Sequence, residues 1–210
     1  MEKKDIYVDK IFDLAKLSFA FARINRATHH EDGIRQESDT DHTFMLSLVA
    51  SSLAEAFYKE KLDIGLISQF ATVHDLVEVY AGDTNSFINV SEESKQEKKN
   101  RELKSLQKIK EELNPQFAWA TNLIEKYEKQ EEIEARFVYL VDKILPELTH
   151  VLSNFSYIKN SGQSKEYFYS FIKNKTVFLE EKYGKEFGEI LNIYKSIVEK
   201  MFNKYESLEN

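Results

Sequence analysis

His42, the adjacent pair His74 and Asp75, and the distant Asp142 offer two imidazoles and two carboxylates. Such a set, with coordination positions left for water, suits an octahedral divalent ion such as manganese, cobalt, iron or magnesium; zinc or nickel are ions that purification could introduce. Thiolate ligation and disulfides are excluded, because the 210-residue chain has no cysteine. Asp142 is the most informative member. It interrupts the apolar run of Phe137, Val138, Leu140, Val141, Ile144 and Leu145, where an ionised carboxylate is costly unless it is paired or bound to metal. Lys143 and Arg136 are its alternative partners, although adjacent positions on a helix diverge.

These residues need elements to position them. The run DIGLISQFATVHDLVEVY, Asp63 to Tyr80, has no proline and places apolar residues at Ile64, Ile67, Phe70, Ala71 and Val73. It predicts one helix on which His74 and Glu78, at i and i+4, project from the same side. Gly82 stops that helix, and Asp83 falls in the following turn, either as a group that closes over the site or as a turn former only. A second helix over Asp41 to Tyr58 carries the stripe Phe44, Met45, Leu48, Val49, Ser52, Leu53 and Phe57. Thr40 or Asp41 is its N-cap, which puts His42 in the first turn, at the rim of the core.

A first helix from about Asp5 to Asn25 delivers Arg26 at its end, with Arg23 as the rival cation, and residues 28 to 40 read as a polar loop exposing His29 and His30. After Asp83 the segment TNSFINVS is turn-like and suits a flap. A polar helix with a Leu103, Leu106, Ile109 and Leu113 stripe follows, its charges read as a solvated face. Pro115 marks a break, Gln116 to Glu128 a short helix, and a long helix from Glu131 carries Asp142 and bends near Pro146. Beyond Gly162 two or three aromatic segments pack on the core or across a dimer interface. No strand alternation stands out, so the fold class is all-α.

Four motifs in this order, RINR at 23 to 26, ESDTDH at 37 to 42, HDLVEVYAGD at 74 to 83 and EARFVYLVDK at 134 to 143, resemble the HD-domain phosphohydrolases. The branch with the bacterial 5′-deoxynucleotidases and related small HD-domain-containing proteins is the nearest in pattern, over roughly residues 10 to 155. The resemblance implies a helical bundle in which His42, His74, Asp75 and Asp142 bind one divalent metal. It implies that Glu78 and Asp83 act on water, leaving group or sugar, and that Arg26 contacts the substrate phosphate. Many relatives carry a tryptophan just after that arginine, near the nucleotide sugar. Here Ala27, Thr28, His29 and His30 follow instead, so a preference for deoxyribose does not carry over.

The function expected from this resemblance is a metal-dependent phosphomonoesterase acting on nucleoside 5′-monophosphates. A phosphodiesterase or nucleoside-triphosphate hydrolase using the same ligands, or a non-catalytic nucleotide-binding protein, are the alternatives. The organisation expected is one domain over residues 1 to 210, with a core at about 10 to 155 and a helical extension at about 160 to 205. Hydrophobic content of 42% fits a globule with a substantial core. A net charge of −7 disfavours nucleic-acid polymers while leaving room for a small phosphorylated molecule at a local site. The opening MEKKDIYVDK lacks the apolar centre of a signal peptide, and no apolar run approaches membrane-spanning length, so the expectation is a cytoplasmic protein without a membrane partner. A homodimer is expected from the aromatic C-terminal region and from common behaviour in the resembling family.

Overall fold

The computed structural model describes residues 3–88 and 91–209. Ten helices and one small antiparallel ribbon follow in chain order among them: α1 (Lys3–Phe21), β1 (Asn25–His29), β2 (Gln36–Ser38), α2 (Asp39–Tyr58), α3 (Ile64–Val73), α4 (Glu78–Ala81), α5 (Glu92–Leu113), α6 (Ala118–Lys129), α7 (Ile133–Leu152), α8 (Ser156–Asn160), α9 (Lys165–Tyr183) and α10 (Gly188–Glu209). The helical class expected from the sequence holds. No helix among the described residues is long and apolar enough to cross a membrane.

The ribbon corrects the expectation of a loop over residues 28 to 40. Asn25 pairs with Ser38 and His29 with Gln36, and the connecting turn is closed by Asp32 Oδ1, which accepts from the backbone N–H groups of Ile34 and Arg35. Gly33 takes a φ of 70°, which few other residues tolerate. The turn chemistry of EDG outweighs the missing alternation, because side-chain acceptors fold the chain back before strand propensity matters. α1 therefore ends four residues earlier than expected, and Arg26 rides on β1. His29 and His30 are half-buried rather than exposed.

α2 begins at a capping box on Ser38, two or three residues before the expected cap at Thr40 or Asp41. Ser38 Oγ accepts from Asp41 N–H, while Asp41 accepts from the Ser38 backbone. The buried stripe of α2 is also rotated from the expected one: Leu46, Ala50, Ala54 and Tyr58 face inward, whereas Phe44 and Leu48 are exposed. Small Ala50 and Ala54 let α3 and α7 approach closely, and that close approach selects the face. The helix expected over 63 to 80 is interrupted. After Val73 the backbone tightens into i→i+3 hydrogen bonds, Leu76 to Val73 and Glu78 to Asp75, before α4 resumes.

Two apolar clusters hold these elements. The larger joins α2, α3, α7 and α10 through residues such as Leu46, Phe70, Phe137, Val141, Phe187 and Tyr194. The second gathers Phe87, Phe155, Ile158, Phe168, Ile172, Met201 and Tyr205. Most C-terminal aromatics thus pack within the chain, while exposed apolar side chains include Phe12, Phe19 and Phe44 and, in the C-terminal region, Val177 and Phe178. Pro146 lies inside a continuous α7. The flap expected at 84 to 91 is bend and coil at residues 84–88; residues 89 and 90 lie outside the described ones.

Candidate metal centre

Three elements bring the four expected ligands together. The capping box fixes the first turn of α2 and with it His42, one residue after Asp41. The tightened turn after α3 delivers His74 and Asp75, and α7 delivers Asp142. One ligand atom from each lies within 4.8 Å of all the others. His42 is 1% exposed, so it sits inside the core and not at its rim.

The turn after α3 has a local cause. His74 Nδ1 donates to the Ala71 carbonyl at 2.8 Å, the acceptor that a continuing α-helix would give to the Asp75 N–H. That bond fixes the tautomer and leaves the Nε2 lone pair facing the cluster. His74 Nε2 is buried, makes no hydrogen bond, and lies 2.9 Å from Asp75 Oδ2. Two acceptors at contact distance repel unless a cation or proton stands between them. On the other side His42 Nε2 lies 2.8 Å from Asp142 Oδ1, and Glu37 Oε1 lies 3.4 Å from His42 Nδ1. Both imidazoles thus point Nε2 inward with a protein acceptor behind, as histidine ligands do. The donor set fits a divalent ion.

Electrostatics support the same reading. Burial and Arg26 oppose charge on His42, but Asp142 and Glu37 push its pKa up to about 9. Burial likewise opposes ionisation of Asp142, yet Lys143, 2.7 Å away, and the two histidines hold its carboxyl well below the usual range. The alternative pairing of Asp142 with Lys143 therefore exists alongside the cluster. Arg136 instead pairs with Glu186.

The groups expected to act on substrate share one cavity of about 140 Å³ with His42, Asp75 and Asp142 of the cluster. Arg26 Nη1 lies 2.9 Å from Asp75 Oδ2 and 3.2 Å from Asp39 Oδ1, while Arg23 is exposed and lies apart. Glu78 is 3% exposed, and burial together with the like charges of Asp75, Asp83 and Asp39 pushes its pKa up to about 10. It reaches the cavity from the first residue of α4, across the turn, and not from the same helix as His74. Asp83 lines the cavity too, its pKa raised by burial against the pull of Arg26.

Several residues in the cavity wall, and Asp39 behind Arg26, were not anticipated. Asp39 is fully buried, and its pKa is pushed up to about 6 by burial, opposed by Arg26. Glu37 receives a hydrogen bond from Thr28 Oγ1 at 2.5 Å. Both lie within ESDTDH, so clustered acids beside a ligand histidine were the available signal. Lys98 belongs to the helix read as a solvated face, yet it reaches to 3.9 Å from Glu78. His150, Tyr157, Phe171 and Lys175 complete the far wall; Phe171 and Lys175 come from the region read only as packing, His150 and Tyr157 precede it, and no local pattern marks any of them. Burial and Lys175 push the pKa of His150 down to about 3, so its imidazole is neutral.

A family model described as HD domain matches residues 22–186, extending past the expected end of the core near 155. Among solved structures, the chain is similar to one described as a predicted metal-dependent phosphohydrolase from Magnetospirillum magnetotacticum MS-1, at 23% identity and a TM-score of 0.76, over 94% of this chain and 93% of that one. It is also similar to a conserved hypothetical protein from Pyrococcus furiosus, at 22% identity and a TM-score of 0.60, over 88% of this chain and 99% of that one. No curated protein matches the chain in sequence.

Proposed function

The chain belongs to the HD-domain family, and from that premise we propose that it is a metal-dependent phosphohydrolase, specifically a phosphomonoesterase that releases phosphate from nucleoside 5′-monophosphates. The observation that carries the reading is the shared cavity. His42, Asp75 and Asp142 of the donor cluster, the cation Arg26 and the acids Glu78 and Asp83 all line one space, and His74 completes the cluster behind it. The solved neighbour described as a metal-dependent phosphohydrolase supports the reaction class.

A divalent ion at the cluster supplies a Lewis acid for a phosphate oxygen and a water of lowered pKa. The chain's own residues do the rest. Arg26 is anchored by Asp39 and Asp75 through one nitrogen, which leaves other guanidinium N–H groups to bind phosphate oxygens and to stabilise their growing charge. Of Glu78 and Asp83, one orients the attacking water and takes its proton, and the other protonates the leaving alkoxide. No side chain needs to form a covalent bond to phosphorus.

Phosphate release from a panel of ribonucleoside and deoxyribonucleoside 5′-monophosphates, with manganese or cobalt added, tests the proposal. Release that EDTA abolishes is expected; no release from any phosphate ester sinks it. Pyrophosphate or tripolyphosphate released from triphosphates, with monophosphates inert, would move the activity to a nucleoside-triphosphate hydrolase. Glu78→Gln and Asp83→Asn compared on natural esters and on p-nitrophenyl phosphate separate the two roles, because an activated leaving group tolerates loss of the proton donor.

A further inference from the structure

The cavity has a second wall that the phosphate chemistry leaves unused. It is built by His150 near the end of α7, Tyr157 on α8 and Phe171 on α9, with Phe87 of the loop after Asp83 between them. The rings are fixed in place. Phe87 is 6% exposed and stands edge-on to Tyr157, at 5.8 Å and 72°, and to Phe171, at 5.0 Å and 79°. Its carbonyl accepts from Tyr167 Oη at 2.7 Å, and its N–H donates to Asn85 Oδ1 at 2.9 Å. His150 lies nearly parallel to Tyr157, with ring centroids 5.9 Å apart and 16° between planes.

We propose that His150, Tyr157 and Phe171 form a subsite for a flat heteroaromatic ring, the nucleobase of the substrate, and that this C-terminal wall sets the leaving-group specificity of the enzyme. The orientation of the ligand rests on the phosphomonoesterase reading given above. Two independent observations favour a ring. Tyr157 and Phe171 are only half-buried, so they present aromatic surface to a cavity whose opposite wall is charged; bases of any sequence stack on such surface. His150 is 6% exposed, and its Nδ1 is buried without any partner, a polar atom at the wall available to a ligand able to hydrogen-bond.

Charge accounting argues against the main competitor, a second phosphate. Lys175 is the cation of this wall, and both oxygens of the fully buried Glu147 hold its Nζ, at 2.9 and 3.2 Å. Lys143 is similarly committed to Asp142, and Lys98 lies beside Glu102 and Glu78. With its cation neutralised, the wall favours an uncharged ring over an anion.

The probes are adenosine and thymidine, which carry a base and no phosphate, with full-length protein stripped of metal by EDTA. Saturation-transfer NMR is expected to show contact at the base protons. Phe171→Leu keeps apolar bulk but removes the flat face and should weaken binding about tenfold, the scale of one lost stacking contact; Phe171→Tyr should recover most of it. In turnover, the ratio of kcat/KM for AMP over ribose 5-phosphate should fall about tenfold in Phe171→Leu. No transfer to either nucleoside, or binding and ratio unaltered by Phe171→Leu in a protein with wild-type circular dichroism, overturns the subsite. Hydrolysis blind to the base would refute the subsite alone. Base-dependent binding with no phosphate released from any ester would sustain it and refute the phosphomonoesterase reading.

Discussion

Around His74 and Asp142 buried polar atoms lack partners. Nε2 of His74, Oδ2 of Asp39 and Oε2 of Glu78 are enclosed with no hydrogen bond. Around Phe87 and Phe168 aromatic packing dominates: Phe168 meets Phe87, Phe155, Phe202 and Tyr205 ring to ring, Tyr167 bonds the Phe87 carbonyl, and the unpartnered buried atoms, His150 Nδ1 and Ser156 Oγ, are not set against a carboxylate. Both regions border one cavity. The first is an arrangement whose repulsion a cation relieves, and the second is held mainly by ring packing. The contrast teaches that metal should control the first region and leave the second almost untouched, while core mutations should do the reverse.

The sharpest way to break this contrast is Asp142→Ala. It removes an anionic ligand from the cluster and leaves the aromatic region intact, so bound metal measured by elemental analysis should disappear, and turnover with it, while the fold persists. Unchanged metal content would dissolve the proposed centre. Glu78→Gln should retain metal yet lower kcat by about 10²- to 10⁴-fold, the range for loss of a general acid or base; equal loss of metal would move Glu78 among the ligands. On the other side of the comparison, Phe168→Ala should cost about 3–5 kcal/mol in denaturant unfolding and leave the metal affinity of the folded protein unaltered.

Smaller effects refine the boundary. Glu37→Gln weakens the acceptor behind His42 and should lower metal affinity about 10- to 100-fold without removing a ligand. The pH dependence follows from His42, whose folded pKa of about 9 lies above its ordinary 6.5. Its protonation stabilises the metal-free fold, fully below pH 6.5, and that contribution fades as pH rises through about 9. Metal competes for the same nitrogen, so affinity should climb across this window by up to about tenfold per pH unit. Titration calorimetry at pH 6.5 and 8.5 would show it, and a flat profile would mean that His42 carries no proton to displace.

The sequence made the cluster legible because its members bear rare chemistry in distinctive company: an aspartate in an apolar run and a His-Asp doublet on a predicted helix. The helix around that doublet was misjudged, because periodicity cannot reveal that the His74 side chain takes a backbone carbonyl from the next turn. β1 was hidden for a related reason: NRATH has no apolar alternation, and its pairing depends on Asp32 and Gly33 closing the turn. Phe171 fell among the aromatics read as packing and Tyr157 was not singled out, because only tertiary packing decides which of many aromatics borders a cavity. Lys98 shows the same limit, since a lysine among lysines gives no sign of which one turns inward.

Pro146 has a wider consequence. It lies on α7 between Asp142, at the chemical end of the cavity, and His150, at the end assigned to the base. Having no N–H, it cannot donate to the carbonyl four residues earlier, which is that of Asp142. One helix therefore serves as a ruler joining two functions, with a missing rung at its midpoint. On the proposed reading, substitutions after the proline would alter the spacing between scissile bond and recognised ring and leave the metal ligand before it in place. A lineage could thus acquire new substrates by altering residues 147 to 175 and never revisit the metal.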